Sequence, residues 1–432
     1  MTYYAVVDCD NCYVSCELVF RPDLKGKPVV VLSNNDGCVV ARSNEAKQMG
    51  IKAGTPYFKL ASQFSNQKIY AFSSNYELYG DLTGRVMSIV QNAAPQYFRY
   101  SIDEAFVLLE KIEGTDLREW GMDLHQKIKQ FVGMPVSIGI GTTKTLAKMA
   151  SHYAKHYPGY RHCCFIDTEE KLRKALKLYP IAEVWGIGRK YAARMQNMGI
   201  VTAYDLAEKS REWINAGFNV NIRRTWSELN GIDCIPNDEP AKKKSICVSR
   251  SFPGMIGEFD KLRTYVSNYA AHCAEKLRKQ HSMAAVVGVF LSTNNFREDL
   301  SQYRNFTEVR LLTPTDSSIT IIQKARECLE KIYRLGFLYK RAGVVVISMD
   351  GYCGIQTNLI DYDSEKFEKL KKLDSVIDRI NRTKGSETVI VASQQYQIKN
   401  TQGKSVGFAD AIRHEHKSPN YTTRWADIIE LK

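Results

Sequence analysis

The chain opens on an unbroken run of aromatic and β-branched residues, Tyr3-Tyr4-Ala5-Val6-Val7, which then meets Asp8. That composition predicts a strand, and its two-residue repeat brings Asp8 and Asp10 out on one face near the end. The period changes over 13–20, where a helix is expected. A second strand at 27–32 is cut off by the turn residues Ser33-Asn34-Asn35-Asp36-Gly37. Residues 39–49 are predicted as a helix ending at Gly50, and 77–94 as a longer amphipathic one. Strands at 97–100 and 105–109 are hinged at Asp103-Glu104. Helix 117–131, strand 136–141 and helix 145–157 follow. The order strand–helix–strand–strand–helix–strand predicts a split βαβ unit, with helices on one side of an antiparallel sheet. The fold class is α+β.

A linker is expected across 235–244, where Pro236 and Pro240 precede Lys242-Lys243-Lys244. Beyond it the pattern begins again. Strand 245–252 precedes a helix striped by Leu262, Val266, Tyr269, Cys273 and Leu277. Strands 284–291 and 307–312, a helix marked by Ile322, Ala325, Leu329 and Ile332, and strand 342–348 complete a second βαββαβ unit. Toward the end, Phe367, Leu370, Leu373, Ile377 and Ile380 mark an amphipathic helix and 387–392 a strand. Both fit ordinary core.

Length and charge narrow the classes. A chain of 432 residues implies two to four domains, and 44% hydrophobic residues can fill their cores. No apolar run approaches the ~20 residues of a membrane span. The first residues reach Asp8 with no basic lead-in, unlike a signal peptide, so a cytoplasmic protein is expected. The net charge of +13 favours a polyanionic partner, either nucleic acid or an anionic membrane surface. Residues 241–350 alone hold 18 Lys/Arg against 10 Asp/Glu, which suits a binding platform. Eleven cysteines without framework spacing imply a reducing compartment. The pair Cys9 and Cys12 lacks the further ligands zinc requires, and two small strand-end residues are expected rather than a redox dithiol.

Candidate chemistry centres on Tyr100-Ser101-Ile102-Asp103-Glu104-Ala105-Phe106. Alone, this acidic pair fits a surface turn as well as a site. In a split βαβ unit, however, the first strand neighbours the central hairpin, so Asp8 can meet Asp103 and Glu104. Three carboxylates at one spot repel unless a divalent cation bridges them, and oxygen-only ligation points to Mg²⁺. Two such ions ~3.5–4 Å apart align in-line attack on phosphorus. Farther on, Gly186-Ile187-Gly188-Arg189-Lys190 has the pattern of a helix–hairpin–helix, in which glycines let backbone N–H groups approach a DNA phosphate. A helix-capping turn is the alternative.

Several of these stretches are recognisable together. Asp8-Cys9-Asp10-Asn11-Cys12-Tyr13, Ser101-Ile102-Asp103-Glu104-Ala105, Gly141-Thr142-Thr143-Lys144-Thr145-Leu146-Ala147-Lys148 and Val184-Trp185-Gly186-Ile187-Gly188 resemble Y-family translesion DNA polymerases. Phe72-Ser73-Ser74-Asn75-Tyr76-Glu77-Leu78-Tyr79 and Ser418-Pro419-Asn420-Tyr421-Thr422-Thr423-Arg424 resemble the bacterial UmuC branch.

The resemblance implies a right-hand polymerase. Its ferredoxin-like palm would take 1–12 and 75–165, its fingers 13–74 and its helical thumb 166–235. A linker at 236–245, a little finger at 246–350 and a C-terminal region at 351–432 would follow. Low-fidelity, template-directed synthesis past lesions in the SOS response is the implied activity, on primer-template DNA and dNTPs. Asp8, Asp103, Glu104 and the Cys9 carbonyl would hold two Mg²⁺ ions, with Mn²⁺ able to substitute.

Tyr13 matches the steric gate against ribonucleotides, with a core aromatic as the alternative. Ala41, Asn44, Lys47 and Lys155 would contact the nucleotide. Gly186, Gly188, Arg189, Lys190, Arg250, Arg297, Arg304 and Arg310 would contact DNA. The implied partners are a cleaved UmuD-type dimer, a RecA filament and a sliding clamp. The clamp peptide's counterpart, Gln356-Thr357-Asn358-Leu359-Ile360, lacks the usual anchors at Thr357 and Ile360. The competing readings are a palm-fold nucleotide cyclase and a non-enzymatic DNA-binding damage-tolerance scaffold.

Overall fold

The structure, a computed structural model, describes residues 2–64, 67–110, 116–237, 242–350, 362–385, 387–394, 397–399, 405–407 and 415–429. The chain divides into two compact units, Met1–Glu239 with His414–Lys432, and Pro240–Arg413. The stretch expected as one C-terminal region is thus shared between them, and the clamp-like peptide 356–360 lies outside the described residues.

The first unit is built on β1 (Thr2–Cys9), whose unbroken apolar run is buried from Tyr3 to Val7 because both faces are covered. Tyr3, Ala5 and Val7 enter the main core, while Tyr4 and Val6 pack with Phe106 and Ala147 on the other side. After β1 come α1 (Cys12–Phe20), β2 (Val29–Leu32), β3 (Val39–Arg42), α2 (Asn44–Gln48), α3 (Tyr57–Gln63) and β4 (Tyr70–Ser73). Strands β2–β4 form a small sheet in the order β3-β2-β4.

The helix expected over 39–49 is therefore two elements. β-Branched Val39 and Val40 extend the chain, and the Ser43 hydroxyl then caps α2 by accepting from the Ala46 N–H at 3.2 Å. Next come α4 (Tyr76–Asn92), β5 (Gln96–Arg99), β6 (Glu104–Glu110), α5 (Leu117–Val132), β7 (Val136–Gly141), α6 (Lys144–His156) and β8 (Cys163–Phe165). The large sheet runs β5-β6-β1-β7-β8. Gly139 and Gly141 let α6 lie directly on β7, since a Cβ at Gly139 would fall inside the backbone of Ala147 and Ser151. Helices α7 (Glu169–Leu178), α8 (Arg189–Asn197), α9 (Ala203–Ala207), α10 (Arg211–Gly217) and α11 (Val220–Leu229) enclose a separate core.

The second unit contains β9 (Ser245–Ile256), α12 (Phe259–Lys279), β10 (Ser282–Thr293), β11 (Arg304–Thr315), α13 (Ser318–Ile332), β12 (Tyr339–Asp350) and α14 (Ser364–Lys384). Its antiparallel sheet runs β11-β10-β12-β9. The strand expected at 387–392 is absent. Glu387 takes a left-handed φ of 63°, and the Val389 N–H donates to Asn381 Oδ1 of α14 at 2.8 Å instead of to a ladder. Among the described residues, no helix is long and apolar enough to cross a membrane.

Candidate active site

Strand pairing performs the first step of assembly. β1 and β6 are antiparallel neighbours in a register that sets Asp8 opposite Glu104, across 95 intervening positions of sequence. Both carboxylates are partly buried, and burial, followed by the hydrogen bond with Asp8, pushes the Glu104 pKa up to about 7. Asp103 sits one residue earlier in the turn. Its carbonyl accepts from the Cys9 N–H at 3.0 Å and its carboxylate from the Ser101 hydroxyl at 2.5 Å.

Helix α6 supplies the countercharges. Lys148 pairs with Glu104, while Lys155 lies 3.1 Å from Asp8 and 3.3 Å from Asp10. Burial works against the Lys155 charge, but Asp8 and Asp10 outweigh it and raise its pKa. Asp10 also accepts from the Ser137 hydroxyl at 2.9 Å. Among the described residues, no three His, Cys, Asp or Glu side chains converge as a metal centre. Asp8 and Glu104 are brought together, and Asp103 keeps its own partner. These hard oxygen donors suit a divalent cation.

A second group of candidate side chains is built by α1, α2 and α4. Tyr13 stacks on Tyr79 with centroids 4.8 Å apart and meets Tyr76 edge-on at 5.7 Å. Burial, then the neighbouring Tyr76, pushes the Tyr13 phenol up to about 12. Asn11, in a left-handed turn with φ 48°, joins α1 to α2. Its amide donates to Asn44 Oδ1 at 3.0 Å, and its oxygen accepts from Lys47 Nζ at 2.6 Å. Burial, then repulsion from Lys155 and Arg42, lowers the Lys47 pKa. Ala41 is half-buried against the main core. Cys9, Cys12 and Cys16 are buried free thiols.

The glycine hairpin touches the same end of the sheet. Trp185 donates from Nε1 to the Tyr100 hydroxyl at 3.3 Å and packs on Phe106. Gly186 has φ +90°, and a Cβ there would press on the Thr225 hydroxyl. Gly188 caps α8, and Arg189 and Lys190 are exposed in its first turn.

In the second unit, Arg304 and Arg310 stand exposed on β11. Arg297 is exposed in the β10–β11 connection but bonded to Asp299 at 2.7 Å. Arg250 departs from expectation. It alternates with Ser249 and Ser251, so it shares the helix-covered face with Ile246, Val248 and Phe252 and is half-buried.

Sequence reasoning gave no role to Lys148, Tyr76, Tyr79 or Glu17. Lys148 was open to detection, because it precedes Lys155 by two helical turns on one face of α6. Tyr76 and Tyr79 stand in the UmuC-like stretch 72–79 with no role attached, and Glu17 carries no local signal.

Family models match in order along the chain. The impB/mucB/samB family covers 7–152, its C-terminal domain 243–359, and a domain of unknown function 371–431. Protein UmuC of Salmonella typhimurium is 40% identical over 433 residues, covering 99% of this chain and 100% of that protein. The chain belongs to the UmuC family of Y-family DNA polymerases. A second UmuC-family relative, Protein SamB of Salmonella typhimurium, is 37% identical over 99% of both chains. DNA polymerase IV of Methanosarcina acetivorans is 30% identical, covering 82% of this chain and 98% of that protein. The UmuC-family fold is shared with a solved Y-family DNA polymerase chimera at TM-score 0.62 and 21% identity, covering 82% of this chain and 100% of the other.

Proposed function

We propose that this chain is a low-fidelity, template-directed DNA polymerase that carries out translesion synthesis by nucleotidyl transfer. The observation that carries the proposal is the Asp8–Glu104 pair at the end of the central strand, with Lys155 3.1 Å from Asp8. Asp8, Asp103, Glu104 and the Cys9 carbonyl would hold two Mg²⁺ ions, which supply activation of the primer 3′-hydroxyl and neutralise charge on the leaving pyrophosphate.

The chain's own residues do the rest. Lys47 and Lys155 present ammonium groups to the incoming triphosphate, as point charges rather than bidentate clamps. Tyr13, fixed between Tyr76 and Tyr79, occupies the volume a 2′-hydroxyl needs. Small Ala41 and the short amide Asn44 leave the nascent pair without a bulky roof, which suits tolerance of damaged templates. Backbone N–H groups at Gly186 and Gly188, with Arg189 and Lys190, take DNA phosphates. Exposed Arg304 and Arg310 add contacts from the second unit. A UmuD-type dimer and a RecA filament as partners rest on family membership alone. That membership leaves the cyclase and scaffold readings without support.

Primer extension with Mg²⁺ on undamaged and abasic templates tests the proposal. Wild type extends both, and Asp103→Ala loses about a thousandfold or more of the rate while still binding primer-template. Tyr13→Ala keeps polymerising and accepts ribonucleotides. Absence of extension by wild type, or an active Asp103→Ala variant, overturns the assignment.

A further inference from the structure

The segment 415–429 belongs to the first unit although it follows the second along the chain. Buried polar groups hold it there. The Ser73 N–H donates to the His416 carbonyl and the His416 N–H donates to the Ser73 hydroxyl, both at 3.0 Å. Asn75, only 1% exposed, donates from Nδ2 to both the carbonyl and the hydroxyl of Ser418 at 3.1 Å. The Oδ1 of the same Asn75 caps α4 by accepting from the Leu78 N–H at 3.4 Å. Asn420 donates to Glu77 Oε2 in the first turn of α4 at 2.6 Å. Two aromatic contacts lie at this seam: Tyr421 stacks on Phe20 with centroids 4.5 Å apart, and the His416 ring meets Tyr57 edge-on at 5.6 Å.

This seam meets the nucleotide site through one buried acid. Glu17 of α1 is fully buried, and its Oε1 accepts from the Ser418 hydroxyl at 3.0 Å and from the Tyr79 hydroxyl at 2.6 Å. Its Oε2 is buried with no hydrogen-bond partner among the described residues. A buried carboxyl depends heavily on the few donors it has. Tyr79 is the ring on which Tyr13 stacks, and Tyr76 on the same helix closes the other side. The segment therefore grips the start of the helix that carries both aromatic walls of Tyr13, and bonds the acid that fixes one wall.

We propose that residues 415–429 are a positioning element for nucleotide-sugar selection: Ser418, through Glu17, fixes the Tyr79 ring against which Tyr13 is set. This rests on Tyr13 acting as the gate against a 2′-hydroxyl. Ser418 and Glu17 touch no substrate. They set how little the Tyr13 ring yields when a ribonucleotide presses on it.

Single-nucleotide extension with the full chain, comparing dATP with ATP, tests this. In Ser418→Ala the dATP-over-ATP ratio of kcat/KM is expected to fall about fivefold to tenfold, the scale of one lost hydrogen bond, through better use of ATP. Use of dATP stays within about twofold, and Ser418→Thr, which keeps the hydroxyl, restores the ratio. Glu17→Ala lowers it at least as far. Thermal midpoints establish that each variant is folded; should Glu17→Ala fail to fold, the Ser418 pair carries the test alone. An unchanged ratio in folded Ser418→Ala, or an equal fall for both nucleotides, overturns the inference. Tyr13→Ala separates the two levels. If it leaves sugar discrimination unchanged, the gate itself is wrong and the inference falls with it; if it abolishes discrimination while Ser418→Ala does nothing, only the inference fails.

Discussion

The two large sheets share one order of elements, strand–helix–strand–strand–helix–strand, yet arrange their strands differently. In the first unit the opening strand β1 is internal, with the hairpin strand β6 on one side and β7 on the other. In the second unit the opening strand β9 is at an edge and pairs only with the closing strand β12. The first arrangement puts the end of β1 beside the β5–β6 turn, which is how Asp8 comes to face Glu104. The second brings no comparable ends together. What it offers is a face uncovered by α12 and α13, on which the Phe306 ring lies over Gly288, the Phe290 ring over Gly343, and the Arg341 guanidinium 5.6 Å from the Phe290 ring. An internal opening strand brings two acidic strand ends together, and an edge one leaves an open face.

Glycines in the two sheets sharpen that contrast with the largest expected effect. At Gly139 an added methyl would meet the backbone of α6, which cannot step aside without moving Lys148 and Lys155 from the acids. Gly139→Ala is expected to destabilise the first unit by about 4 kcal/mol or more and to abolish extension. At Gly288 the same methyl would meet the end of the Phe306 side chain at 2.8 Å, and that ring can swing toward solvent. Gly288→Ala should cost about 1 kcal/mol or less. Thermal unfolding of both variants measures the difference, and equal losses would mean that the platform is as tightly packed as the catalytic sheet.

The contrast also shows what was legible. Element order could be read in both units because apolar periodicity is local: the stripe from Leu262 to Leu277 became α12, and the run from Val136 to Gly141 became β7. Strand order could not, because it depends on which edges meet, and no local pattern records that. Of the site, the acids and Tyr13 stood in recognisable stretches. Tyr79 also stood in one, with no role attached, but Glu17 did not, since an acid between apolar neighbours acquires its meaning only from Ser418, 401 residues beyond it. Residues 39–49 and 387–392 were misjudged for local reasons. A serine cap split the first, and the Asn381 side chain took the backbone bonds of the second. The half-burial of Arg250 was not legible, because face parity is known only once a strand has a covered side.

Buried charge separates the units next. In the second unit the buried Asp374 lies 3.6 Å from Arg278, which also grips Asp378. In the first, Glu17 has neutral donors only, and burial pushes its pKa up to about 7, against the partial pull of Tyr79 and Ser418. A carboxyl raised in the folded state favours folding most when it is protonated. Its contribution is complete below the ordinary carboxylate range and is lost as pH rises through about 7. Wild type should therefore lose on the order of 3 kcal/mol of first-unit stability between pH 4.5 and pH 8 through this group. Glu17→Gln, which cannot ionise, should gain on wild type at pH 8 relative to pH 5. A difference between the two proteins that does not change with pH would show Glu17 to be solvated or paired.

The smallest expected effect tests the platform alone. A surface that neutralises six to ten phosphates loses roughly 10³–10⁵ in affinity between 50 and 200 mM salt. Each arginine is only one part of that. Arg310→Ala, on the open face of β11, should weaken primer-template binding similarly on all sequences and lower the slope of log affinity against log salt by about 1. Arg250→Ala, on the covered face, should leave the slope unchanged. The two residues carry the same charge in the same sheet, and they differ only in which side of a strand they occupy. If both variants lower the slope equally, the open face is not where the phosphates lie, and the division between a catalytic sheet and a binding sheet loses its physical basis.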